Sequence, residues 1–224
     1  MRHLLSQPVI TTWAVMAVVA LLCRLSTRRM ELEPGTGQAA LEGLVATMED
    51  TIAEVTPRHA RRVLPFVGTL WIFVAIANLL GVIPGLSGPT ADLSTTAALA
   101  VLVFASVHWY GIETHGIRAY LRHYVQPTPL LLPFHIISEV SRTVALAVRL
   151  FGNIFSLEMA ALLVLLVAGF LVPVPVLMLH IIEALVQAYI FGMLALIYIA
   201  GGVETLELRA QAANAGDTGS TKGE

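Results

Sequence analysis

The chain has 224 residues, of which 57% are hydrophobic and only 12% charged, with a mean hydropathy of +0.80. A soluble domain carries about a quarter charged residues, so a soluble globular protein is excluded and an integral membrane protein is indicated. The net charge of −2 comes without any basic run that would mark a nucleic-acid partner, and the single cysteine, Cys23, excludes an internal disulfide and a cysteine metal site.

The first element is an apolar run from Val9 to Cys23, short for a hydrocarbon core of roughly 30 Å and extended by residues 4–8. With Arg2 ahead of it, the run has the outline of a signal peptide. No small-residue cleavage site follows, however, and Arg24, Arg28 and Arg29 close it, so residues 1–26 read as a retained first span. Those arginines mark a cytoplasmic exit by the positive-inside rule. Residues 27–62 form a cytoplasmic loop. Within it, Gln38 to Val55 reads as an amphipathic helix, with Leu41, Leu44, Val45, Met48, Ile52 and Val55 on one stripe. Glu42, Glu49, Asp50 and Glu54 face the other way, so the helix should lie along the membrane surface or on a partner.

Arg58, Arg61 and Arg62 are again cytoplasmic. Residues 63–111 hold the second and third spans, Leu64 to Ile83, which contains Asn78, and Leu93 to Tyr110. Gly81-Val82-Ile83-Pro84-Gly85 is helix-stop chemistry. Asp92 is placed to cap the N-terminus of the third span; the alternative is a role at an ion entrance. Residues 112–132 are a polar cytoplasmic loop. His108, His115 and His123 are spaced by seven and eight, but Gly111 and Gly116 interrupt the face they would share, which speaks against a metal or haem site.

Residues 133–205 are expected to form two long helices, Phe134 to about Leu171 and Val176 to about Glu204, joined by the turn Val172-Pro173-Val174-Pro175. Their length demands strong tilt or partly interfacial placement. Residues 206–224, with Gly216, Gly219 and Gly223, read as a disordered cytoplasmic tail. The fold class is therefore all-α and polytopic: five membrane-crossing helices, the last two a tilted antiparallel hairpin, plus a surface amphipathic helix. The N-terminus lies outside and the C-terminus inside.

Nearly all intramembrane polar groups lie on this last hairpin. Its first helix carries Glu139, Arg142, Arg149, Asn153 and Glu158. An arginine at the centre of a membrane helix costs roughly 2.5–3.5 kcal/mol on insertion scales, so it rarely persists without a task. At about 100° per residue Arg149 shares a stripe with Arg142, Asn153 and Ser156, while Glu158 points to the opposite side. The second helix carries His180, Glu183 and Gln187 at spacings of three and four, one further stripe. Histidine and glutamate are the groups that proton relays use, because environment brings either into the neutral range. Plainer readings stand beside this one. Glu183 and Arg149 also read as a buried ion pair locking the hairpin, His180 as a packed core histidine, and Gln187 as an interhelical hydrogen bond. Arg142 and Glu139 read equally well as snorkelling ends, and Tyr189 and Tyr198 as packing.

RLFGN at 149–153, followed by Glu158, resembles the fourth span of subunit a of F-type ATP synthases, and QAYIF at 187–191 resembles the fifth. Asn78-Leu-Leu-Gly-Val-Ile-Pro84 and Pro89-Thr-Ala-Asp92-Leu are similar to that family's second-span exit and the turn after it. The resemblance covers roughly residues 60 to 204. It implies a subunit that is not an enzyme by itself and needs no cofactor. It also implies an essential arginine at Arg149, Asn153 and Gln187 beside it, and an ion half-channel lined by Glu158 and His180. Where many members have a carboxylate, this chain has His180, so acid and imidazole look exchanged, with Glu183 one turn on. The implied partners are a ring of small hairpin subunits, each with a membrane carboxylate (the c-ring), peripheral-stalk b subunits and the rest of the complex in a bacterial inner membrane, with the N-terminus periplasmic. The translocated ion is H+ or Na+; the short N-terminal part and the run HIISEVSRT resemble the alternate, sodium-type branch. A secondary transporter would want an internal repeat or broken helices, and neither is found. A haem anchor would want several deep histidines, and only His180 is deep. A purely structural assembly subunit remains the third alternative. No GxxxxGK[ST] phosphate loop is present.

Overall fold

A computed structural model of the chain describes residues 7–28, 35–83, 88–117, 132–168 and 173–220. Among them the regular structure is helical: α1 Gln7–Thr27, α2 Thr36–Val55, α3 Ala60–Leu80, a 3-10 turn Pro89–Ala91, α4 Leu93–His115, α5 Leu132–Ala168 and α6 Pro173–Ser220. Three stretches are long and apolar enough to cross a membrane among the described residues: Ala60–Leu80, Leu93–Thr114 and Pro175–Val203. Val9–Leu25 is a shorter apolar helix.

Small residues decide how closely these helices approach. Ala77, Ala100, Ala147, Ala184, Ala188 and Ala195 are all buried, and they let backbones pack where lipid offers no hydrophobic drive to bring helices together. Larger side chains fill the remaining space: Val74, Val103, Leu146, Leu150 and Phe191 form one core where α3, α4, α5 and α6 meet. A second core holds Ile52, Val63, Val67, Trp71, Leu196 and Ile199, and joins α2 to α3 and α6.

The amphipathic helix α2 divides along its length. Ile52 is fully buried against α3, whereas Leu41, Leu44 and Val45 are about half exposed. Its end is tied by an ion pair of Glu49 with Arg61 at 3.5 Å, and Arg62 reaches Glu113 on α4 at 2.6 Å. These pairs are exposed and worth at most about 1 kcal/mol each in water. They nonetheless use two of the arginines that the sequence marks as cytoplasmic to join three helix ends.

Helix boundaries differ from the sequence expectation: α3 begins at Ala60 rather than Leu64, and α6 at Pro173, inside the expected turn, rather than at Val176. Helix α4 passes Gly111 and runs to His115. It ends at Gly116, whose φ of 79° only glycine takes without strain and whose N–H bonds Ile112 O. Residues 118–131, including His123, Pro127 and Pro129, lie outside the described residues. Helix α6 continues to Ser220 where a disordered tail was expected from residue 206. Residues 204–214 are rich in Ala, Leu, Glu and Arg, strong helix formers, and an established helix propagates through such a segment at little cost. The glycines that suggested disorder begin only at Gly216.

The turn between α3 and α4 sets the position of Asp92. A Cβ at Gly88 would lie 3.1 Å from Ala77 O and 3.2 Å from the Gly81 backbone, so a side chain there would press the returning chain away from the end of α3 by a few tenths of an ångström. The 3-10 turn that follows packs on α5 and places Thr90 in the interior. Asp92 then caps α4: one carboxylate oxygen accepts from the Ser94 N–H at 2.7 Å and also from the Ser94 hydroxyl. These bonds, the hydroxyl's first, hold the Asp92 carboxyl below its ordinary range. A lowered carboxyl contributes stability above the ordinary range that is lost as pH falls through the lowered value. Asp92→Ala should cost about 1 kcal/mol at neutral pH, read as earlier thermal unfolding in detergent, with the difference from the parent vanishing in acid.

Candidate functional site

The site lies where α5 crosses α6. Leu146, Leu150 and Ile154 are buried at 2%, 0% and 1% exposure and define the inward face of α5. Arg142 and Arg149 flank that face at one edge, and both are exposed. Asn153 sits at the margin, half-buried, and donates its Nδ2–H to Gln187 Oε1 on α6 at 2.7 Å. This side-chain bond joins the two helices one turn beyond Arg149.

On α6 the stripe of His180, Glu183 and Gln187 turns toward the protein interior. His180 and Gln187 are each 2% exposed, Glu183 is half-buried, and Ala184 between them is fully buried. Glu158 lies on α5, and its side chain falls outside the described residues. No ion pair forms between Arg149 and Glu183, which removes the reading of that pair as a hairpin lock. Arg149 makes neither a hydrogen bond nor an ion pair with any described residue.

Arg142 has a different environment. Its guanidinium lies 4.7 Å from the centroid of the Tyr198 ring, a cation–π contact between α5 and α6. With half-buried Glu139 and Thr143 it lines a small cavity whose other wall is apolar, including Val103 and Leu146. Arg142 thus lies on one stripe with Arg149 but is occupied by an aromatic partner within the chain.

The structure adds residues that sequence reasoning did not select. Asn78 on α3 is fully buried and donates Nδ2–H to Ala184 O on α6 at 3.2 Å. Trp71 donates its indole N–H to Tyr189 O at 3.1 Å and stacks on the Tyr189 ring with centroids 6.0 Å apart. An amide in an otherwise apolar span was the available signal for Asn78; Trp71 had none beyond its size. Asn78 Oδ1, Thr90 Oγ1 and Gln187 Nε2 are buried atoms without a hydrogen-bond partner among the described residues. Each such atom costs about 1–3 kcal/mol if left dry, so polar atoms of this kind fit a path that water or an ion enters. Among the described residues no group of three or more His, Cys, Asp or Glu is placed to hold a metal ion.

The comparisons agree on one family. A family model described as ATP synthase A chain matches residues 9–200. The chain is 59% identical over 208 residues to an ATP synthase subunit a of Legionella pneumophila, covering 92% of this chain and 90% of the relative. It is 65% identical over 198 residues to ATP synthase subunit a 1 of Hahella chejuensis, covering 88% and 84%. It is 62% identical over 201 residues to ATP synthase subunit a 2 of Pelobacter propionicus, covering 90% and 88%.

Proposed function

This chain belongs to the ATP synthase A chain family, and on that premise we propose that it is the stationary, ion-conducting subunit of a rotary ATP synthase, with Arg149 facing a ring of carboxylate-bearing hairpins. It is a membrane subunit of the complex. The observation that carries the finer reading is Arg149 itself: an exposed guanidinium on a mostly apolar helix with no acidic partner among the described residues. In a membrane that charge is costly unless another molecule supplies the counter-charge.

The arrangement suits a cycle of ion exchange. An ion enters one half-channel, binds a ring carboxylate, and is carried around as the ring turns. On return the ionised form is attracted by Arg149, which favours release into a second half-channel, and the fixed positive charge bars direct leakage between the two. Asn153 and Gln187, joined at 2.7 Å, hold the helix crossing beside that charge. The stripe of buried His180 and Gln187 with half-buried Glu183, and the atoms of Asn78 and Thr90 that lack a partner among the described residues, support a hydrated route through the interior of this chain. Glu158 is assigned to the same route from its place on α5. Five crossings, a periplasmic N-terminus, the b subunits as stalk partners and H+ or Na+ as the ion complete the proposal.

Glu158→Gln and His180→Ala test the route. Each should slow passive ion flux through the membrane sector several-fold, while residual ATP synthesis stays coupled to ion flow. Unchanged flux in both variants, measured in vesicles with the catalytic sector stripped off, would assign the two residues to packing.

A further inference from the structure

Trp71 and Asn78 stand seven residues apart on α3, two turns along one face. Both donate to backbone carbonyls of α6, at Tyr189 and Ala184, so their two bonds bracket Gln187. The order is that of antiparallel helices: the later donor on α3 meets the earlier acceptor on α6. We infer that Trp71 and Asn78 are positioning residues that fix the rotation and axial register of α6, and so hold Gln187 opposite Asn153. This inference rests on the reading of Gln187 as part of the ion route.

The need for such a device follows from the packing. Ala184 and Ala188, on either side of Gln187, and Ala77, beside Asn78, are all buried at 3% exposure or less. Small smooth surfaces permit close approach but resist sliding poorly. One helical turn is about 5.4 Å, and a slip of that size carries Gln187 out of reach of Asn153, which now lies 2.7 Å away. A side-chain donor on a main-chain carbonyl resists both rotation and translation, because each carbonyl has one position along the axis. Two donors, one on either side of Gln187, define both coordinates. The indole adds a steric stop. It stacks on Tyr189 and lies against Gly192, where a Cβ would overlap the ring. Neither Trp71 nor Asn78 lies on α5, so they act on the crossing only through α6.

Disulfide trapping in the assembled complex in native membranes tests this, in a background with Cys23→Ser. Asn153→Cys is combined in turn with Glu183→Cys, Gln187→Cys and Phe191→Cys. With α3 intact, the 153/187 pair should cross-link fastest. Adding Trp71→Phe, which keeps a ring but no donor, together with Asn78→Leu should lower that pair about five- to tenfold relative to the other two, at an unchanged amount of inserted protein. Asn78→Gln in place of Asn78→Leu should restore much of the preference. An unchanged ranking, or all three pairs falling together with the amount of protein, would overturn the inference. Trapping reports geometry without any transport measurement, so it can fail while the role of Arg149 stands, and the reverse.

Discussion

Arg149→Ala is expected to insert and assemble yet to abolish ATP-driven ion pumping and ion-driven ATP synthesis. The residue is exposed at the edge of the packed face of α5 and makes no hydrogen bond or ion pair with any described residue, so its removal breaks none of these. What is lost is the fixed charge. A pair of unit charges about 4 Å apart interacts by roughly 4 kcal/mol at an effective dielectric near 20, about a thousandfold in the proton affinity of a passing carboxylate. Without that difference the carboxylate has no reason to release its ion at this point of the circle. The barrier to leakage also goes, so passive flux should rise. Arg149→Lys should rescue poorly, because an ammonium lacks the planar fork that pairs with a carboxylate and is more strongly hydrated. Proton uptake by inverted vesicles and blotting for the assembled subunit decide the matter together: an assembled Arg149→Ala complex that pumps at the parent rate would remove the proposal at its centre.

How much of this was legible in the sequence depended on whether the information was local. Apolar runs closed by Gly, Pro or arginine located α1, α3 and α4 to within a few residues, and Asp92 before Leu93 announced its own cap. Periodicity groups His180, Glu183 and Gln187 on one stripe, and Arg142, Arg149 and Asn153 on another. It states which residues share a face and is silent on how deeply each is buried. Only the packing leaves Arg142 and Arg149 exposed and takes His180 and Gln187 into the interior. The Asn153–Gln187 bond joins positions from two helices that the family resemblance had already set side by side, whereas the Arg142–Tyr198 contact depends on the crossing geometry and has no local signature. The tail was misjudged for the opposite reason. Its glycines outweighed an alanine-rich stretch that simply prolongs a helix already formed.

Gly192→Ala is expected to disturb the complex through a single added methyl group. The added Cβ would overlap Nε1, Cδ1 and Cε2 of Trp71, so the indole must leave its seat or the helices must part. Leaving the seat breaks the bond to Tyr189 O and the stack on its ring; parting opens the seam lined by Phe191, Ala195 and Leu196, each at 1% exposure or less. Overpacking of this kind typically costs about 1–3 kcal/mol. In the intact complex it should show as a lower temperature of dissociation in detergent and reduced pumping. The glycine is permitted by the tryptophan and the tryptophan by the glycine, so the two substitutions should not add. Trp71→Ala alone empties the notch and destabilises; Trp71→Ala with Gly192→Ala should be better tolerated than the sum, with a coupling of about 0.5–3 kcal/mol. Additive effects in that double-mutant cycle would show that the indole does not occupy the space above Gly192.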